Sequence, residues 1–132
     1  MRFPADLAQI LPALLWIRGE LSNLSLDKST LNKIELVSEE ALVNIVEHAY
    51  QGLSGDIELV VSSSPKQIEI VIKDQGPPFD PLNAPIDFDP TLPLEERKLG
   101  GLGIPMIRKF MDQVLYKREN NQNVLTLIKK RH

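Results

Sequence analysis

Hydrophobic and polar positions change their period along this chain, and each change marks a new element. Leu7, Ile10, Leu11, Leu14, Leu15, Ile17 and Leu21 recur at three- and four-residue steps, which predicts an N-terminal helix. Pro12 fits a first turn but not a helix middle, so the regular helix is expected to begin close to it. Phe3-Pro4-Ala5 reads as the end of a short strand entering that helix. After a polar break from Ser22 to Lys28, Asp27 or Ser29 can cap a second helix reaching about Tyr50. Its core stripe is Leu31, Ile34, Ala41, Leu42, Ile45 and Ala49.

The period then drops to two. Residues 57–61 and 67–73 alternate as strands around a Ser-Ser-Ser-Pro turn, a hairpin signal. From Pro77 to Leu99 regular patterning lapses, and six of the ten prolines (77, 78, 81, 85, 90 and 93) fall there. Prolines at that density block both helix continuation and ladder hydrogen bonds. A loop of this length inside a compact domain is functional or disordered, and a lid over a site, about 77–100, is a common case. Ile104 to Asp112 reads as a short helix, with Pro105 in its first turn. Residues 113–117 and 124–129 read as a closing hairpin across Glu119-Asn120-Asn121-Gln122, and Val71 and Leu125 are expected to face outward.

Composition narrows the class. A chain of 132 residues suits one domain, 1–132, with a real core. The net charge of −3 gives no basic footprint, so neither nucleic acid nor an anionic membrane is an expected partner. Absence of cysteine excludes disulfides, zinc–thiolate sites and thiol catalysis. No apolar run of spanning length and no signal-peptide pattern at Met1 to Ile10 are visible, so a cytoplasmic location is expected.

Three segments carry candidate chemistry. Glu40, Asn44 and His48 recur every four residues and would stack along one helix face beside the core stripe. An Asn carbonyl is a hard oxygen donor suited to Mg2+, and a carboxylate one turn away can orient or deprotonate a hydroxyl. Read alone, the same face is equally a solvated one. Asp74 ends an alternating strand ahead of Gly76; there a carboxylate can accept a hydrogen bond from the exocyclic amine of adenine, and guanine would oppose it with a carbonyl. Read alone, Asp74-Gln-Gly76 is more simply a turn. Gly100, Gly101 and Gly103 precede a helix, where free N–H groups attract phosphate, yet a glycine hinge reads the same way. The segment is neither a P-loop nor a dinucleotide fingerprint. Arg97 and Lys98 stand just before it.

In this order and spacing the three segments resemble the GHKL ATPase superfamily, in particular the bacterial anti-sigma-factor serine/threonine kinases. The resemblance spans nearly the whole chain. It implies an α/β (α+β) fold, a two-layer sandwich with a mixed, mainly antiparallel sheet and helices on one face (the Bergerat ATP-binding fold). Glu40 would stand in the place of the general base and Asn44 in that of the magnesium ligand, with ATP and Mg2+ as cofactors. His48, Asp74, Gly76 and Phe79 would line the nucleotide. Lys98, Gly100, Gly101, Leu102, Gly103 and Ile104 would close on its phosphates, and Thr126 on the last strand would complete the site. Pro78 replaces a glycine usual in the family, and the Gly-Thr common before the last strand is absent, with Asn123-Val124 near its place.

The implied partners are a STAS-type anti-sigma-factor antagonist, phosphorylated on serine, and a sigma factor sequestered afterwards; a homodimer through the open sheet face is also expected. Pro78 and the missing Gly-Thr keep a second reading open, a nucleotide-binding partner-switching module without efficient phosphotransfer. A detached catalytic domain of a sensor histidine kinase is a third, disfavoured because no dimerising helical pair carries an acceptor histidine.

Overall fold

The computed structural model describes residues 1–50, 54–82 and 100–131, the side chains of 49 and 100–104 excepted. A short strand β1 (Arg2–Pro4) leads through a single tight turn into helix α1 (Ile10–Leu21), which places Pro12 in the first helical turn as its chemistry requires. Asp27 caps helix α2 (Lys28–Asn44) by accepting the Thr30 N–H at 2.9 Å. Strands β2 (Asp56–Ser63) and β3 (Gln67–Asp74) form the expected hairpin. Helix α3 (Gly100–Phe110) precedes strands β4 (Gln113–Glu119) and β5 (Gln122–Lys130).

The sheet order is β1-β2-β3-β5-β4 and all four pairings are antiparallel, so the mixed component expected of it is absent among the described strands. Alternation gives the sheet one core face. Ile68, Ile70 and Ile72 of β3, Leu59 of β2 and Leu127 of β5 are fully buried, together with Ile17, Ile34 and Leu42 of the helices. Helices and sheet thus form the two layers expected. At roughly 1.5–3 kcal/mol for each such side chain, this single interface dominates the stability of the fold.

The register also fixes what faces away. Leu115, Thr126, Val71 and Val60 lie opposite one another across β4, β5, β3 and β2, on the face turned from the helices. Leu115 and Val60 are exposed there. Leu125, expected outward, faces the core instead, because it pairs with Ile72 and so shares the parity of Leu127.

The closing hairpin is tighter than the sequence suggests. Asn120 and Asn121 both adopt positive φ, 52° and 61°, and form a two-residue turn that lets the strands run on to Glu119 and Gln122. Two helices also depart from expectation. The second keeps α geometry only to Asn44 and then widens into a π turn over Ile45–Ala49. Helix α3 begins at Gly100, inside the glycine segment expected to precede it, and stops at Phe110, leaving Asp112 outside. Buried Ile107, with Met111 just past the helix end, ties its C-terminal half to the core, and that packing outweighs the low helix propensity of the glycines.

Candidate active site

Helix α2 is placed by its buried face, where Ile34, Val37, Ala41 and Leu42 pack in the core and Ser38 Oγ donates to Ile34 O at 2.7 Å. That leaves Glu40 half-buried at the helix edge. Burial pushes the Glu40 carboxyl above the ordinary glutamate range, and the neighbouring carboxylates Glu39 and Glu47 push it further. One turn on, Asn44 is 3% exposed, and its Nδ2 has no hydrogen-bond partner among the described residues. An unsatisfied buried amide is costly, and such groups in native proteins commonly belong to sites.

The π turn then carries His48 out of the four-residue stack. Its ring lies against Phe79, with centroids 6.1 Å apart and planes 21° from parallel. Beyond it, Tyr50 is buried; its Oη donates to Asp56 O at 2.6 Å and accepts the Gln75 N–H at 2.8 Å. The end of the second helix is thereby fastened to the chain directly after Asp74. His48 and Tyr50 follow Asn44, while Gln75 and Phe79 flank Gly76, so the first two motifs meet.

Asp74 ends β3 on the core face and is 2% exposed. Its Oδ1 accepts the Gly76 N–H at 2.9 Å and the Asn123 Nδ2–H at 2.8 Å, whereas no hydrogen bond reaches Oδ2 from the described residues. Burial raises its pKa from the ordinary aspartate value, opposed by the Asn123 and Gly76 donors and by the Arg118 guanidinium. One carboxylate oxygen is thus saturated and the other is left to accept a proton donor from outside. An amino group such as that on adenine is one.

Gly100, Gly101, Leu102, Gly103 and Ile104 form the first turns of α3 and not a loop. Pro105 lacks an N–H, so the Gly101 carbonyl has no partner one turn on. Lys98 lies outside the described residues. Thr126 sits on the outer sheet face with Val71, whereas Asp74 and Asn123 occupy the core face, so the structure does not bring it to the others.

Three residues of this site escape the motifs. Asn123 and Arg118 stand opposite each other on β5 and β4, in the same cross-strand row as Asp74, and Tyr116 lies two residues before Arg118. The available signal is parity: Asn123 occupies the inward register of Leu125 and Leu127, where a polar side chain needs a partner.

Residues 3–129 match the histidine kinase-like ATPase domain. The chain belongs to that family. An ATPase domain binds ATP. Among its relatives are proteins named serine-protein kinase RsbW from Bacillus thuringiensis (strain Al Hakam), Bacillus cereus (strain AH820) and Bacillus anthracis. Each is 27% identical over 128 residues, covering 95% of this chain and 80% of the relative. No helix among the described residues is long and apolar enough to cross a membrane.

Proposed function

We propose that this histidine kinase-like ATPase domain is an ATP-dependent protein serine/threonine kinase that acts as an anti-sigma factor. Its substrate is a serine of a STAS-type antagonist, and the unphosphorylated state of that antagonist governs whether a sigma factor is held. The observation that carries the reading is the pairing of Glu40, a carboxyl with raised proton affinity, with the buried unpartnered amide of Asn44 one turn away. The relatives named serine-protein kinase support the same reaction class.

Asp74 Oδ2, which no hydrogen bond from the described residues reaches, would accept the exocyclic amine of adenine, and the His48–Phe79 pair would flank the ring. Phosphoryl transfer is mainly a matter of positioning and charge neutralisation, so the chain's own task is to hold the nucleotide and align a hydroxyl. Glu40 orients the attacking serine hydroxyl and takes its proton. Among the described residues no group of three or more His, Cys, Asp or Glu could hold a metal ion. A Mg2+ that arrives on the phosphates fits this, since it keeps several waters and needs few protein oxygens, and Asn44 Oδ1 is one such donor. The ion would neutralise developing phosphate charge.

Helix α3 supports placing the glycines at the phosphates. Lys33 of α2 lies 5.8 Å over the Phe110 ring, which sets the end of α3 beside the early turns of α2. The ten residues back to Gly100 span roughly 15 Å, close to the roughly 16 Å from Lys33 to Asn44. An antiparallel course would bring Gly100–Ile104 to the level of Asn44. The segment of about 77–100, of which residues 83–99 lie outside the described residues, would act in this reading as the lid.

The test is transfer of label from γ-labelled ATP, with Mg2+, to purified STAS-type proteins encoded beside the gene. Labelled phosphoserine on one of them is the expected result. Tight ATP binding with no transfer to any would favour the partner-switching module, for which Pro78 and the missing Gly-Thr before the last strand are the argument.

A further inference from the structure

The side chain of Asn123 uses all of its hydrogen-bonding capacity on the pocket. Its Nδ2 donates to Asp74 Oδ1 at 2.8 Å and to Pro77 O at 2.9 Å. Its Oδ1 accepts from Tyr116 Oη at 2.6 Å, from the Phe79 N–H at 3.1 Å and from Arg118 Nη1 at 3.3 Å. These partners fix the amide's orientation, because a carboxylate and a carbonyl can only accept while an N–H and a guanidinium can only donate. Asn123 is 3% exposed and its bond to Asp74 is buried, while Pro77 and Arg118 hold it from the surface.

The segment it holds cannot hold itself. Pro77 and Pro78 have no N–H, which leaves Gly76 and Phe79 as the donors of that stretch. Gly76 N binds Asp74, Gly76 O accepts from Arg118 Nη1 at 2.7 Å, and both Pro77 O and Phe79 N bind Asn123. One amide therefore joins the acid that would read the base to the aromatic ring that would flank it.

We infer that Asn123 is a positioning residue that sets nucleobase specificity: with the Gly76 N–H it occupies Oδ1 of Asp74 and leaves Oδ2 to a purine carrying an exocyclic amine, and through the Phe79 N–H it ties that carboxylate to the Phe79 backbone. The inference rests on the ATP-binding part of the proposed function and not on phosphotransfer. In place of a glycine-rich backbone, this chain uses a side chain from the neighbouring strand to shape the pocket.

The test compares ATP with inosine triphosphate, which carries a carbonyl where adenine has its amine, by calorimetry with Mg2+ on the full chain. Wild type is expected to prefer ATP. In Asn123→Ala, ATP affinity should fall about tenfold or more while that for inosine triphosphate changes about twofold, so the ratio collapses. A merely structural role would lower both together. Should Asn123→Ala not fold, Asn123→Ser and Tyr116→Phe decide; each removes part of the network, and each should lower the ratio in the same direction. An unchanged ratio in the folded variants overturns the inference while leaving ATP binding intact. Failure of wild type to bind ATP overturns both it and the proposed function.

Discussion

Tyr50 Oη accepts the Gln75 N–H at 2.8 Å across 25 residues of chain, and donates to Asp56 O at 2.6 Å. With both bonds made the ring cannot swing away. A Cβ on Gly55 would stand 2.5 Å from Tyr50 Cζ and 2.8 Å from its Oη. Gly55→Ala should therefore destabilise the fold by about 1–3 kcal/mol through overpacking. The same substitution should loosen ATP binding, since the displaced ring carries Gln75 and hence the Asp74 strand end. Urea unfolding paired with nucleotide titration checks both effects, and a variant as stable as wild type would remove Tyr50 from this role.

Asp74 makes the apo protein sensitive to pH in a stated direction. Its folded pKa lies above the unfolded value, as does that of Glu40, so the folded chain holds protons that the unfolded chain has released. Stability from these groups is present below the ordinary carboxylate range, about pH 4, and is lost as pH rises through their raised folded values. Asp74→Asn can keep the bonds from Gly76 and Asn123 at its carbonyl oxygen while placing an NH2 where Oδ2 stood. Unfolding across a pH series should show a shallower loss for Asp74→Asn than for wild type. ATP binding should fall roughly 10- to 100-fold, because two donors then face each other. Equal slopes in the two proteins would refute the assignment.

The two layers, the β2–β3 hairpin and the Asp27 cap were legible because each follows from local chemistry: alternation, 3.6-residue periodicity and a side-chain acceptor. What the sequence hid was register and geometry set by packing. The Glu40, Asn44 and His48 spacing assumes an unbroken α-helix, and the π turn adds one residue to each hydrogen-bonded ring, which sends His48 to Phe79. Asn120 and Asn121 both tolerate positive φ, but without an Asn-Gly signal the tight turn was not evident. Without that turn the row Arg118–Asn123–Asp74 could not be aligned, and Thr126 looked nearer the nucleotide than Asn123.

Thr126 offers a control on that register. It pairs with Val71 and Leu115 on the face away from the helices. Thr126→Val should leave ATP affinity within about twofold of wild type, as for substitutions remote from a site. A loss of tenfold or so, measured by the same titration, would mean that the last strand is offset by three residues and that Thr126, not Asn123, stands opposite Asp74.

In the proposed reaction, substitutions at Glu40 and Asn44 should separate binding from transfer. Glu40→Gln keeps the shape and the hydrogen bonding of the side chain but cannot accept a proton, so single-turnover phosphotransfer should fall about 100-fold or more with ATP affinity retained. Asn44→Ala removes a buried amide whose Nδ2 has no partner among the described residues, and the apo protein should lose little stability for that reason. What it should lose is the metal's contribution. Wild type is expected to bind ATP more tightly with Mg2+ than with EDTA, and in Asn44→Ala the two titrations should converge. If chelation weakens ATP binding equally in wild type and Asn44→Ala, the amide is no ligand to the ion, and its buried, unpaired state must have another cause.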